Sequence, residues 1–527
     1  MANSPYSKEN VRKGILHYLL GRGLAGIAGF ATVILLVRFM DVQSYAGFTA
    51  LTGLIALSGI LAGLGLERAI SRYVPEARLE RSAKELGQFI WRITAVKLVA
   101  ALVVCGVFYL FWQPILRLFS DVHLTNFPLA LACFVIAETL FQHFSSVFQA
   151  LLKQKALTRI LTVQWLGRLI MIMWAIFADK AISLEESLLV MALPEILGVL
   201  VFALVLTQYL GQLNVEQQAE HLLEKVEKLT DVQQANTTNW PDWNAIARMA
   251  SHNYGFTLLA APPQGYFMKM LAAIFLPTQM VAAYGFFISI AERVRQYIPL
   301  HLLYSLIEPV MIGNYIQNRS FSILNQRCQL LYKSNLILLI PIMAWILAAG
   351  TFIIASLTGG KYHEYSWLLA LVMLQLTVGS HVVLLQLILN SVGASQLLVK
   401  SGFYALIGMA IFLVVALNIH LHLLVVAPLV FSLVCNAYII HALNRDGYPY
   451  QLSRQLFLGA TASGVIASCI VYAAMHQSLI TSPNTYLLTI ISGALIGLIY
   501  FACLYFFKAI RADELLLVKS ILTKKGI

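Results

Sequence analysis

The sequence contains little charge. Only 11% of its 527 residues are Asp, Glu, Lys or Arg, whereas 59% are hydrophobic and the mean hydropathy is +0.77. A soluble domain needs far more charge to cover its surface, so this composition excludes a soluble enzyme. The net charge of +12 therefore concerns membrane topology rather than nucleic-acid binding. We predict a polytopic membrane protein.

The chain also lacks grouped cysteines and a long outer loop. Its six cysteines are scattered, without zinc, haem or disulfide spacing. The apolar runs leave only short connections on the predicted outer side, with no room for a catalytic domain. We therefore predict no cofactor, no metal site and no catalytic residues.

Apolar runs are abundant instead. Windows of about 20 apolar residues predict roughly fourteen transmembrane helices, which makes the fold class an all-α polytopic membrane protein. Four regions follow from their spacing: a six-helix lobe at 1–210, a cytoplasmic amphipathic linker at 211–250, a second six-helix lobe at 251–444, and two extra helices with a cytoplasmic tail at 445–527.

Basic residues fall mainly on one side of these helices. The predicted outer segments hold only Arg38, Arg117, Lys180 and Lys361. Because cytoplasmic loops carry an excess of Lys and Arg, both termini are predicted to be cytoplasmic. The predicted inner segments hold Arg68, Arg72, Arg78, Arg81, Lys84, Lys153, Lys155, Arg159, Arg293, Arg295, Arg319, Arg327 and Lys333.

One short motif occurs in both halves. Glu67-Arg68 is followed by Tyr73-Val74-Pro75, and Glu292-Arg293 by Tyr297-Ile298-Pro299. Such repeats are typical of transporters built from two related halves. We predict that the motif lies at the cytoplasmic mouth, where it either anchors topology and ends a helix or forms a gate. The gate candidates are Glu67, Arg68, Arg72, Glu292, Arg293 and Arg295.

Both halves are predicted to begin with an interrupted helix. The first predicted span, 14–37, contains Gly21-Arg22-Gly23, and the seventh, 251–274, contains Pro262-Pro263-Gln264-Gly265. Gly/Pro interruptions at corresponding positions point to a transporter's substrate site. Close packing through small residues and a passive kink would explain them equally well.

Ionisable residues inside the predicted spans are few and mainly cationic. Because charge is costly in lipid, they should face the bundle interior or a wet cavity, and the excess of cations predicts an anionic ligand. Glu138 and Gln149 in one predicted span, and Gln375 and Gln386 in another, have the same eleven-residue spacing, which places each pair on one helix face. The candidate cavity residues are Arg22, Arg168, Lys269, Glu138, Gln142, Gln149, Gln375, Gln386 and Asn390.

Purely structural roles are open to several of these charges and their neighbours. Arg168 and Glu138 could form an internal ion pair, and Lys97 could extend to the cytoplasmic interface. His143 and His381 are interpreted as core histidines.

The stretch Gly63–Ala77, with the basic loop after it, resembles the second-helix end of polysaccharide and O-antigen flippases in the multidrug/oligosaccharidyl-lipid/polysaccharide exporter superfamily. The resemblance implies a MATE-like fold with two lobes and alternating access. It further implies a bacterial inner-membrane protein that flips a polyprenyl-diphosphate-linked oligosaccharide for lipopolysaccharide or exopolysaccharide biosynthesis, using a cationic cavity for the diphosphate.

Three other functions fit the sequence. A lipid II flippase would have a similar cavity, a multidrug exporter of the same superfamily would favour acids and aromatics, and a non-transporting scaffold of a polysaccharide export complex would keep only the topology. The predicted partners are the lipid-linked oligosaccharide, membrane lipids and an assembly partner such as a polysaccharide polymerase. No nucleic acid is expected.

Overall fold

The protein is described by a computed structural model that covers residues 8–119, 122, 124, 128–179, 181–227, 242–452, 454–477 and 484–507. The regular elements in these residues are α-helices, with two short 3-10 segments at His363–Tyr365 and Leu421–Val426. Twelve of the described helices are long and apolar enough to cross a membrane. The all-α polytopic fold class predicted from the sequence is confirmed.

The helices divide between two compact units. The first unit is Met1–Ala261 with Gly265–Ile274, and the second is Pro262–Gln264 with Phe275–Ile527. The helices of the first unit are α1 (Lys8–Phe39), α2 (Val42–Gly63), α3 (Leu66–Glu80), α4 (Ala83–Leu110), α5 (Trp112–Leu118), α6 (Pro128–Ala150), α7 (Gln154–Asp179), α8 (Leu184–Glu227), α9 (Trp243–Ala260) and most of α10 (Gly265–Phe275).

In the second unit, α13 packs against α14 and against both C-terminal helices. It is bent at Ala349, whose φ of −134° and ψ of 18° lie outside the helical range. The helices of this unit are α11 (Thr278–Tyr297), α12 (Pro299–Asn318), α13 (Phe321–Thr358), α14 (Ser366–Val392), α15 (Gln396–Ile419), α16 (Ala427–Arg445), α17 (Arg454–His476) and α18 (Thr485–Phe506).

An aromatic cluster forms the core between α6 and α8. Phe141, Phe144 and Phe148 follow helical spacing and so share one face of α6. Their ring centroids lie 5.2, 6.2 and 4.9 Å from that of Phe202 on α8, and all four side chains are buried. Because lipid tails are as apolar as these rings, close packing rather than exclusion of water stabilises this contact.

The predicted interruption in the seventh span is present. Helix α9 ends at Ala260 and α10 begins at Gly265, so Pro262-Pro263 separates two half-helices. The predicted span 280–303 corresponds to α11 and the start of α12, and α11 carries Glu292, Arg293 and Arg295 in its last turns. These two regions account for the difference between about fourteen predicted spans and the twelve long apolar helices among the described residues.

The predicted interruption in the first span is absent. Helix α1 runs continuously through Gly21-Arg22-Gly23. A Cβ on Gly21 would lie 1.7 Å from Cγ2 of Thr158 on α7, and the Thr162 hydroxyl donates to the Gly21 carbonyl at 3.2 Å. Gly21 therefore permits close packing of α1 against α7, which is the alternative that small residues in membrane helices suggest.

Helix α2 contacts both half-helices. The Tyr254 hydroxyl of α9 donates to the Leu61 carbonyl at 3.1 Å. A Cβ on Gly53 would lie 2.7 Å from the Tyr266 carbonyl oxygen of α10, so only glycine allows this approach. Both halves of the interrupted span are thereby fixed to the first unit.

The predicted linker at 211–250 begins as a continuation of α8. This helix has 44 residues and ends at Glu227, and α9 starts at Trp243. Residues 228–241 of the predicted amphipathic linker lie outside the described part of the chain. The division into four regions stays a prediction.

Candidate functional site

The three predicted cavity cations all belong to the first unit. Arg22 lies on α1 and is half-buried, Arg168 lies on α7 and is buried, and Lys269 lies on α10 and is buried. Helix α10, which carries Lys269, packs against Gly53 of α2, where the Lys269 Cβ would be 3.3 Å from a Cβ on Gly53. The break before α10 thus places this cation in the same unit as the other two.

Arg168 forms a buried ion pair within this unit. Its Nη2 lies 3.2 Å from Oε2 of Glu195 on α8 and donates to the Met191 carbonyl at 3.1 Å. Gln164 donates to the other Glu195 oxygen at 3.4 Å. The sequence predicted a possible pair with Glu138, but the observed carboxylate is Glu195. Glu195 compensates the charge of Arg168, and the contacts of Arg168 with Glu195 and Met191 join α7 to α8.

The predicted cavity residues Glu138, Gln142 and Gln149 form a polar stripe on α6. Gln142 Nε2 donates to Glu138 Oε1 at 2.8 Å, and the Ser146 hydroxyl donates to the Gln142 carbonyl at 3.0 Å. Glu138 is half-buried, whereas Gln142 and Gln149 are exposed. The side chains of this stripe therefore remain accessible for hydrogen bonding to a polar ligand.

Lys97, which is predicted to extend to the cytoplasmic interface, is buried in the first unit. Its side chain is only 1% exposed and pairs with the carboxylate of Glu67, which is 48% exposed. Lys97 lies fifteen residues after the cap residue Ser82, which is about 22 Å along the helix and too deep for its side chain to reach the helix start. The position of Lys97 deep in α4 was a sequence signal for its burial, but it did not identify Glu67 as the partner.

Glu67 therefore connects the repeated motif to the interior of the first unit. One turn before Lys97 on α4, Thr94 shares a buried hydrogen bond of 2.7 Å with His143 of α6, between Oγ1 and Nε2. Among the other gate candidates of the first copy, Arg72 is exposed with its Cζ 5.4 Å from the centroid of the Tyr73 ring. The side chain of Arg68 lies outside the described part of the chain.

The second unit contains a polar seam between α12 and α14 that the sequence did not predict. Glu308 accepts a hydrogen bond from the Tyr304 hydroxyl at 3.0 Å and from Asn390 Nδ2 at 2.7 Å. His301, one turn before Tyr304, contacts the Ser380 hydroxyl at 3.1 Å. Residues 304–331, which lie between two predicted spans, are predicted to be a cytoplasmic connection, so Glu308 was missed. The helical spacing of His301, Tyr304 and Glu308 was the available signal.

The remaining candidates occupy separate positions in the second unit. Gln375 donates to the Val425 carbonyl, and Gln386 is half-buried on α14. Both His381 nitrogens have partners, Asn436 Oδ1 at 3.1 Å and the Tyr450 hydroxyl at 2.7 Å, as a core histidine requires. The gate candidates Glu292 and Arg293 are half-buried, and Arg295 is exposed.

Comparisons with known proteins agree with this geometry. The model of a family described as "Polysaccharide biosynthesis protein" matches residues 11–232. No curated protein sequence matches the chain significantly.

Solved structures show the fold. The lipid II flippase MurJ in an inward closed conformation matches with a TM-score of 0.65 and 12% identity, covering 93% of this chain and 98% of MurJ. A point mutant of the MATE transporter VcmN from Vibrio cholerae matches with a TM-score of 0.51 and 16% identity, covering 83% and 100%. An inward-facing multidrug resistance MATE transporter of the MOP superfamily matches with a TM-score of 0.54 and 12% identity, covering 82% and 99%.

The resemblance inferred from Gly63–Ala77 is thus confirmed: residues 11–232 match the model of the polysaccharide biosynthesis protein family, and the chain has a MATE-like fold that it shares with MurJ and the multidrug transporters.

Proposed function

We propose that this protein moves a lipid-linked glycan across the bacterial inner membrane by alternating access, with both termini in the cytoplasm. The observation that carries the proposal is the packing of α10 against α2 at Gly53, which brings Lys269 into the unit that contains Arg22. Two cations in one lobe suit a diphosphate, because ammonium and guanidinium groups form charge-assisted hydrogen bonds with phosphate oxygens.

The glycan needs neutral and carboxylate partners instead. On α6, the accessible Glu138, Gln142 and Gln149 supply them in the first unit. On α12 and α14, Glu308 and Asn390 supply them in the second unit. The polyprenyl tail can stay in the bilayer while these groups bind the polar head, so no enzymatic step is required.

Arg168 has a different role in this proposal. Its guanidinium already binds Glu195 and the Met191 carbonyl, so it holds α7 against α8 and keeps the lobe rigid. Gln375, which donates to a backbone carbonyl, likewise supports structure. The repeated motifs with Arg68, Arg72, Glu292, Arg293 and Arg295 are proposed to lie at the cytoplasmic mouth.

Flipping of a fluorescent polyprenyl-diphosphate oligosaccharide by the full chain in liposomes tests the proposal. Arg22→Ala and Lys269→Ala should each reduce the initial rate about tenfold, because one charge-assisted hydrogen bond contributes about 1.5–3 kcal/mol. Arg22→Lys and Lys269→Arg should retain part of the rate. Lys400→Ala, at an exposed cation near the start of α15, is the matched control. Unchanged rates in both alanine variants would refute the diphosphate assignment.

Cells depleted of the protein distinguish the flippase from its alternatives. A lipid-linked oligosaccharide should accumulate on the cytoplasmic leaflet. Accumulation of lipid II would instead indicate cell-wall precursor transport. Hypersensitivity to drugs without an accumulated lipid-linked sugar would indicate a multidrug exporter.

A further inference from the structure

Two cations contact one aromatic ring at the end of the first unit where α3 and α6 finish. The Lys153 Nζ lies 4.0 Å from the centroid of the Tyr209 ring, and the Arg78 Cζ lies 5.8 Å from it. Arg78 belongs to α3, Lys153 to the turn after α6, and Tyr209 to α8. Three separate elements therefore bring two like charges together outside the long apolar segments.

The turn that carries Lys153 has a defined geometry. Leu152 has a φ of +55°, in the left-handed region that costs a non-glycine residue energy. The Lys153 amide donates to the Phe148 carbonyl at 2.9 Å and the Leu152 amide to the Gln149 carbonyl at 3.0 Å, as in a Schellman motif. Arg78 donates to the Leu151 carbonyl. These bonds fix the backbone from which the Lys153 side chain extends.

The charges of the two cations oppose each other. Burial lowers the pKa of Lys153, the charge of Arg78 lowers it further, and the carboxylate of Glu216 on α8 opposes both effects. The negative end of α6 favours cations near its last carbonyls, and this explains Arg78. It does not explain why Lys153 is placed over the same ring as Arg78. An anion bound by both groups would relieve their repulsion.

Further exposed cations lie on the elements that carry this pair and on the helices that follow them. Arg72, Lys84, Lys155 and Arg159 are exposed and lie on α3, on α4 and in the first two turns of α7. The positive-inside rule predicts that this end of the unit faces the anionic cytoplasmic leaflet. The anions at the surface of that leaflet are lipid headgroups.

We propose that Arg78 and Lys153, held on the Tyr209 ring, form a binding site for the phosphate of a lipid headgroup at the cytoplasmic rim of the first unit. The guanidinium and the ammonium donate to phosphate oxygens, and the ring keeps both side chains extended. This inference rests on the proposed function in one respect: the favoured source is the diphosphate of the lipid-linked substrate, which the rim captures before it enters the lobe. Bulk anionic phospholipid is the other source of the same chemistry.

Binding to the full-length protein in neutral phosphatidylcholine nanodiscs tests the site without transport. The probes are polyprenyl diphosphate, phosphatidylglycerol and inorganic pyrophosphate, and native mass spectrometry or thermal stabilisation gives the affinity. Lys153→Gln should weaken polyprenyl diphosphate binding about tenfold, Lys153→Arg should retain it, and Tyr209→Leu should weaken it more than Tyr209→Phe. Arg78 also bonds a backbone carbonyl, so the Lys153 variants carry the test.

Lys155→Gln is the matched control, because it removes the same charge from an exposed site two residues away. Equal loss in Lys153→Gln and Lys155→Gln, or no loss in either, overturns the proposed site. Equal affinity for phosphatidylglycerol and polyprenyl diphosphate, both lost in Lys153→Gln, confirms the site and refutes the substrate as its source. A Lys153-dependent site in a protein that flips nothing would leave the inference standing and refute the proposed function.

Discussion

The two copies of the repeated motif fold differently. In the first unit the chain breaks before the motif, at Leu64 and Gly65 with φ values of 51° and 68°, and Pro75 lies inside α3. In the second unit α11 runs through Glu292 and ends at Tyr297. The proline of that copy, Pro299, is the first residue of α12. The same Tyr-x-Pro sequence therefore occurs within one helix and between two others.

In each unit, a buried polar side chain bonds to a residue within or next to the repeated motif. Lys97 stands fifteen residues after Ser82, the cap of α4, and Asn335 stands fifteen residues after Ser320, the cap of α13. Lys97 pairs with the Glu67 side chain, whereas Asn335 Oδ1 accepts a 2.9 Å hydrogen bond from the Leu300 amide. Corresponding positions thus use an ion pair in one unit and a neutral hydrogen bond in the other, which supports the predicted duplication.

Loss of the ion pair should have the largest effect. Glu67→Ala leaves Lys97 buried without its carboxylate, and we expect a loss of up to about 3 kcal/mol, the lower end of the range because Glu67 is half exposed. The Glu67→Ala/Lys97→Met double variant should recover most of it. Thermal unfolding in nanodiscs measures both, with exposed Glu185→Ala as the control. A double variant as unstable as the single one would contradict a paired role.

The neutral contact of the second unit should contribute less. Asn335→Leu removes the acceptor of a buried amide, and we expect a loss of about 2 kcal/mol. Ser334→Ala removes only a hydroxyl that bonds its own helix at Leu331 and should be close to wild type in the same unfolding assay. If Asn335→Leu destabilised the protein more than Glu67→Ala, the neutral contact would be the stronger one.

Replacement of the two prolines by alanine should change the stability of the protein in opposite directions. Pro75→Ala supplies an amide inside α3 and should raise stability by about 1 kcal/mol, since an interior proline costs about 3 kcal/mol and bending recovers part of it. Pro299→Ala removes a residue suited to the first helical position and should lower stability by less than about 1 kcal/mol. Melting temperatures of the two variants check this, and shifts of the same sign would show that helix position does not decide the effect.

The smallest expected difference in stability between the two units comes from the helix caps. Ser82 forms a capping box in which Glu85 bonds back to the Ser82 amide at 3.1 Å, whereas Ser320 accepts a single 3.5 Å bond from Ile323. Ser82→Ala should cost about 1 kcal/mol and Ser320→Ala a few tenths. Threonine at either position is the conservative control. Equal melting temperatures for the two alanine variants would remove this distinction.

Local signals in the sequence predicted the fold class and the interrupted span. Apolar run lengths identified the membrane helices, and Pro262-Pro263 identified the interrupted span. Contacts between distant segments could not be predicted in the same way. Nothing near Gly21 in the sequence shows that Thr158 packs against it, and nothing near Lys97 shows that Glu67 is its partner, because both contacts depend on which helices become neighbours. The polar seam on α12 was missed because residues 304–331 were predicted to be a connection rather than a helix.

The contact of Gly53 with α10 has a practical consequence. The boundary between the two units lies near the end of α10 rather than in the polar linker, because both half-helices that follow the linker belong to the unit that precedes it. A protein divided within 228–241 would therefore leave its first fragment without α9 and α10. Division just after Phe275 would keep each helix with the helices that it contacts, and two fragments cut there are the better starting point for separate expression and reassembly.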